Sequence, residues 1–167
     1  MSQLTDAVEL LELTFDKAFA NAKDEEQQKF VLDSLFLAMK GYSRTWKSNI
    51  PDAEKMLNDG CPPGWDSCPD GSCVPQGAGC GSGLNFVGNE VIIQNKNPKG
   101  ETRLSLEQAK SMLSSYITAA AQDYFERSQT AELQQMTPML LEVARLDFKN
   151  RVAPTLLPPS VEEPLAS

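Results

Sequence analysis

CPPGWDSCPDGSCVPQGAGC, residues 61–80, holds all four cysteines of the chain, Cys61, Cys68, Cys73 and Cys80. It also holds Pro62, Pro63, Pro69 and Pro75, and Gly64, Gly71, Gly77 and Gly79. That density of proline and glycine excludes a helix or a regular strand by rule. So short a run of apolar groups needs cross-links or a metal to hold one shape. Amphipathic helical patterns lie on both sides. The fold expected is mainly α, a bundle-like helical domain with an inserted Cys-rich loop and a small β-hairpin.

Upstream, residues 1–60 form the N-terminal helical part. Val8, Leu11, Phe15, Ala18, Phe19 and Ala22 recur at helical spacing over residues 4–22, with Thr5 as the N-cap. Asp24 and Gln27 have capping-box spacing and open a second helix. Its apolar face is Phe30, Val31, Leu35, Phe36 and Met39, and its end is expected between Gly41 and Trp46. Lys40, Arg44 and Lys47 interleave there with Tyr42 and Trp46. Cations plus rings are the pattern of a single-strand binder. The simpler reading is a basic helix end with Trp46 in the core. Pro51 then starts a short helical turn through Leu57 that Gly60 closes.

Downstream, the Cys-rich loop (61–83) gives way to a hairpin segment (84–104). Val91, Ile92 and Ile93 favour strand, NKNPKG at 95–100 signals a turn, and the arms are expected near 90–95 and 101–105. Residues 105–152 form the C-terminal helical part, expected to pack with 1–60 as one domain. Ser105 and Gln108 make a capping box, and Leu113, Tyr116, Ile117, Ala120 and Tyr124 line the helix that follows. It ends near Thr130 or as late as Gln135, and Thr137-Pro138 signals a restart. Leu140, Leu141, Ala144, Phe148 and Val152 give the last helix its apolar face. Residues 153–167, with Pro154, Pro158, Pro159 and Pro164, read as a Pro-rich extended arm whose contact residues are Leu156, Leu157, Val161 and Leu165.

The net charge of −8 opposes binding to nucleic acid. No apolar run approaches the roughly 20 residues of a membrane span. The N-terminus, MSQLTDAVELLELTF, has no basic segment and carries acids in its apolar part, so it does not read as a signal peptide. Synthesis in the cytosol is expected, with an extracellular particle such as a virion as the later location. The chain has no histidine, which removes Ser-His and Cys-His catalysis and histidine-bound metal. No phosphate-binding glycine motif appears. Asp66, Asp70 and Gly71 sit where a calcium loop would begin, but Cys68 and Gly77 stand where it needs ligands. Glu9, Glu12 and Asp16 share a helix face and read as a solvated surface. No enzymatic activity is expected.

The four cysteines have three competing uses. Two disulfides are the leading one, and spacing alone leaves their pairing open. A zinc site using Cys61, Cys68, Cys73 and Cys80 as thiolates is the alternative, although its gaps are wider than those of common zinc knuckles. Free buried thiols are the third. Trp65 ahead of Cys68, then Cys68-Pro-Asp-Gly-Ser-Cys73-Val-Pro and Cys80, resembles the first half of an LDL-receptor class A repeat. That family's calcium cluster and last two cysteines have no counterpart here, since Gly81-Ser82-Gly83 follow instead. The resemblance implies first-to-third pairing, joining Cys61 to Cys73 and leaving Cys68 for Cys80.

The function expected is a non-enzymatic structural or interaction subunit of a larger assembly, with a virus or phage particle as the setting. Its partners would be protein subunits of the same or a larger assembly, with no cofactor. The stapled loop and hairpin are expected to project as contact elements, and reduction to loosen only the loop. The alternative is a cytosolic zinc-binding regulatory or adaptor module.

Overall fold

The computed structural model describes residues 3–49, 60–81, 83–96, 98–128 and 130–156, without the side chains of 155 and 156. Helix α1 spans Gln3–Asn21 and α2 spans Glu25–Asn49. Strands β1 (Trp65–Ser67) and β2 (Cys73–Pro75) pair antiparallel. A second antiparallel sheet has the order β3 (Phe86–Val87), β4 (Glu90–Lys96), β5 (Lys99–Ser105). Helices α3 (Leu106–Arg127) and α4 (Ala131–Leu156) complete the described chain. The mainly helical fold with a Cys-rich insertion and a small sheet is the one expected.

The helices form where apolar spacing lets each bury one face. Leu11, Phe15 and Phe19 of α1 meet α4, with Phe15 edge-on to Phe148 at 5.9 Å. Helix α2 contributes Val31, Leu35, Phe36, Met39 and Trp46, and α3 contributes Leu113, Ile117, Ala120 and Tyr124. The indole of Trp46 stacks on Tyr124 at 4.2 Å. A large-to-small change at such a site costs roughly 2–5 kcal/mol.

Several boundaries differ from the sequence reading, each for a local reason. Thr5 lies inside α1, which already starts at Gln3. The Asp24 carboxylate accepts from the Gln27 amide at 2.9 Å as expected, but the Gln27 side chain accepts from the amide of Lys23 at 2.7 Å rather than from Asp24. Helix α2 runs past Gly41 to Asn49. An interior glycine costs about 1 kcal/mol, less than is gained by burying Tyr42 and Trp46 beyond it. Phe30, expected on the buried face, is exposed. The short helical turn expected after Pro51 lies outside the described residues.

The break between α3 and α4 falls at residues 128–130, and Thr137-Pro138 is not a restart. Thr130 caps α4, its hydroxyl accepting from the Leu133 amide at 3.1 Å. Thr137 and Pro138 are buried within α4, where packing outweighs the hydrogen bond that proline removes. Pro154 likewise lies inside α4, so the arm cannot begin at residue 153. The capping box at Ser105 and Gln108 is formed, with bonds of 3.1 and 2.8 Å.

The hairpin is longer than expected. Its register pairs Asn95 with Gly100 and Lys96 with Lys99, so the turn shrinks to two residues, and Phe86–Val87 adds a third strand. Val91 of β4 enters the main core, while β5 is an exposed edge whose Lys99, Glu101 and Arg103 discourage further strand pairing.

Candidate functional site

Two features stand out from the scaffold: the stapled module and the solvent face of the α1–α4 pair. In the module, Cys61 is joined to Cys73 and Cys68 to Cys80, each across 12 residues, the arrangement the resemblance implied. The two bridges interlock, since Cys68 lies within the first loop and Cys73 within the second. Two short strands form despite the prolines, because Pro75 sits at the end of β2 and the bridges hold the chains together. A zinc site would need the four thiolates, which this form does not offer. Among the described residues no group of three or more His, Cys, Asp or Glu is placed to hold a metal ion.

The turn of the module is built by Asp70 and Gly71. Gly71 has φ 89°. The Asp70 carboxylate accepts from the Ser72 hydroxyl at 2.5 Å and from the Ser72 amide at 2.9 Å. It also faces Arg44 at 3.2 Å and Lys40 at 3.8 Å. The Ser72 hydroxyl, helped by these cations, holds the Asp70 carboxyl below the ordinary Asp value. Burial pushes Asp66 up, but the Gly77 amide and the Lys96 ammonium outweigh it and bring that carboxyl below the ordinary value too. Asp66 thereby ties the module to β4, its two oxygens taking Gly77 at 3.0 Å and Lys96 at 2.9 Å.

The module's inner face is not free. The Cys73 amide donates to Ser43 of α2 at 2.9 Å, and the Cys73 carbonyl accepts from Tyr116 of α3 at 2.5 Å. Trp65 packs edge-on to Tyr116 at 4.7 Å, and Val74 and Ala78 are buried. The Lys40 ammonium, buried among these groups, donates to the Gly81 carbonyl at 3.0 Å. These contacts correct the expectation of a projecting loop. A Pro/Gly-rich chain has little core of its own, so it borrows one from α2 and α3.

The Lys40–Lys47 segment is thereby accounted for. Tyr42 and Trp46 are in the core, Arg44 pairs with Asp70, and Lys47 donates to the Ser67 hydroxyl at 3.3 Å. Rings so placed are not available to stack on bases. Burial raises the Tyr42, Tyr116 and Tyr124 hydroxyls well above the ordinary tyrosine value, so none is a ready proton carrier at neutral pH. Of the acids on α1, Glu12 accepts from Thr118 at 2.7 Å and Asp16 pairs with Lys110 at 2.7 Å.

The α1–α4 pair is different. Met139, Val143 and Leu146 are 67%, 60% and 45% exposed. They recur at i, i+4 and i+7 on the side of α4 opposite its buried residues Leu141, Ala144 and Phe148. Leu10 and Leu13 of α1 are exposed as well. Beside them α1 and α4 enclose a groove of about 400 Å³, lined by Leu10, Ala18 and Val152 and by Lys17, Arg145 and Lys149. The Arg145 guanidinium grips Glu142 through several hydrogen bonds, which holds that carboxyl below its ordinary value.

Of the arm residues named from the sequence, Leu156 is the last residue of α4, and Leu157, Val161 and Leu165 lie outside the described residues. The sequence reading missed the stripe, although its signal was present. Residues 139–148 carry apolar side chains on both sides of the helix, and only the inner set was assigned. No described helix is long and apolar enough to cross a membrane. Comparison with known protein families, curated proteins and solved structures finds no match.

Proposed function

We propose that the protein is a non-enzymatic structural or interaction subunit of a larger assembly, such as a virus or phage particle. One observation carries the reading: α4 is apolar on the face it buries and again on the face it presents to solvent. A helix apolar on both sides is ordinarily covered on both sides, and a row of large exposed apolar groups marks a contact surface. Leu10 and Leu13 of α1 are further large apolar groups left exposed. A particle built in the cytosol and later exposed to an oxidising exterior supplies conditions in which two disulfides persist.

The test is sedimentation of the full chain beside Met139→Lys and Leu146→Lys, with helical circular dichroism as the control for folding. The wild type is expected to associate with itself or with a larger particle. Each variant should shift toward monomer with its helical signal unchanged. A wild type that is monomeric throughout and found in no complex would overturn the proposal.

A further inference from the structure

We infer that the groove between α1 and α4 receives the acidic C-terminal segment, residues 157–167, of a second copy of the chain. The inference rests on the assembly reading above and names an occupant for the groove beside that stripe. The groove joins an apolar floor (Leu10, Ala18 and Val152) to cations on both walls, Lys17 from α1 and Lys149 from α4. Among the described residues neither lysine has a carboxylate within 4 Å, and the Glu142 carboxyl, on which the Lys149 charge also acts, is taken up by Arg145. In a chain of net charge −8, three cations framing an apolar floor are a local exception. They suit a peptide that brings carboxylates and aliphatic groups together.

The chain carries such a peptide. Residues 157–167 read LPPSVEEPLAS, with Glu162 and Glu163 set between Val161 and Leu165, and no lysine or arginine. Its starting point is suitable too: α4 ends at Leu156, one turn beyond Ala153, which lines the groove. Fully extended, the segment reaches roughly 36 Å. From Arg145 to Ala153 the groove runs only about 12 Å along α4. Length therefore remains to bridge to a neighbour. Pro158 and Pro159 follow at once, and consecutive prolines favour a stiff extended course over the tight reversal that return to the chain's own groove requires. That favours the groove of a second copy over the chain's own.

The experiment mixes unlabelled and nitrogen-15-labelled full-length chains. It joins carboxylates to amines with a zero-length carbodiimide and maps the linked peptides by mass spectrometry. Links from Glu162 or Glu163 to Lys17 or Lys149 are expected, with mixed-isotope pairs as abundant as same-isotope pairs. In parallel, Lys17→Glu with Lys149→Glu should weaken association at least tenfold, and adding Glu162→Lys with Glu163→Lys should restore it. Links found only within one isotope would overturn the second-copy assignment. Association unchanged by the lysine substitutions would overturn the groove assignment while leaving the assembly reading standing. A wild-type chain monomeric at every concentration and bound to nothing would overturn both.

Discussion

The Tyr116 hydroxyl of α3 donates to the carbonyl of Cys73 at 2.5 Å, joining the helical core to a residue of the buried disulfide. Ser43 of α2 holds the same residue through its amide, accepting from it at 2.9 Å, and its hydroxyl also reaches the carbonyl at 3.4 Å. A single cysteine of β2 is therefore pinned by two helices as well as by its sulfur. Removing the hydroxyl with Tyr116→Phe leaves the ring against Trp65 but strips the carbonyl of its short donor. The expected cost is about 1–2 kcal/mol in denaturant unfolding, with unchanged slope. Ser43→Ala should cost about 1–3 kcal/mol, because the buried Cys73 amide then has no acceptor. Costs near zero for both would show that the module is not coupled to the helices.

Gly77 marks where the module meets the second sheet. Its φ is 86°, and its carbonyl accepts from the Gln94 amide at 3.0 Å. A Cβ placed there would lie 2.2 Å from the Gln94 carbonyl oxygen and 2.8 Å from Ile93 Cγ2. Gly79 has φ 94° but open space around it. Gly79→Ala should therefore cost only the strain of a left-handed residue, about 1 kcal/mol. Gly77→Ala adds a backbone collision and should cost at least twice as much, with faster amide exchange across Gln94. Equal costs at the two positions would show that module and sheet are not held in close contact.

What was legible in the sequence follows the range of the forces involved. The capping box at Ser105, the strand pair near residue 92 and the inner faces of the helices are set by neighbours a few residues away. The course of α2 through Gly41 and of α4 through Pro138 is set by packing, which overrides a local breaker. The seating of the stapled module depends on Ser43, Tyr116 and Asp66 meeting residues 11–43 positions away. No local pattern announces such contacts. The solvent stripe of α4 was readable as periodicity, but one periodic face looks like any other until its partner is known.

The pH response separates the acids by sign. Burial pushes the Asp33 carboxyl above its ordinary value, against the pull of the Leu84 amide, Arg151 and Lys40. Its contribution favours folding below the unfolded pKa and is lost as pH rises through the folded one. Asp66, Asp70 and Glu142 lie below their ordinary values. Their contributions are present above the unfolded pKa and are lost as pH falls through the folded values. Asp33 thus partly offsets the acid loss of the other three. Asp33→Asn keeps an acceptor for the Leu84 amide, 2.8 Å away, and removes that offset. Stability measured by urea unfolding between pH 7 and pH 3 should fall more steeply in the variant than in the wild type. A shallower fall would reverse the assignment.

Reduction should proceed in two stages. Cys80 is exposed, whereas Cys61 and Cys73 are wholly buried. A thiolate must reach a sulfur in line, so access governs the order of attack. Mild reductant with alkylation should label Cys68 and Cys80 first, leaving the Cys61–Cys73 bridge intact. Chain-entropy reasoning gives each bridge about 3 kcal/mol. The second stage reaches further than the first, because Cys73 is bonded to Ser43 and Tyr116. Loss of its bridge unties β2 from Cys61 and loosens the hold of the module on Trp65 and Tyr116. The first stage should leave the thermal midpoint of the helices nearly unchanged. The second should lower it by several degrees and shift the Trp65 emission, while Trp46, stacked on Tyr124 in the core, stays constant until global unfolding. Mass spectrometry of alkylated peptides, read beside far-ultraviolet circular dichroism, checks both stages. Simultaneous labelling of all four cysteines in the folded protein would show that the module opens as one unit. A helical midpoint that stays fixed after both bridges are cut would show that it is only a peripheral staple.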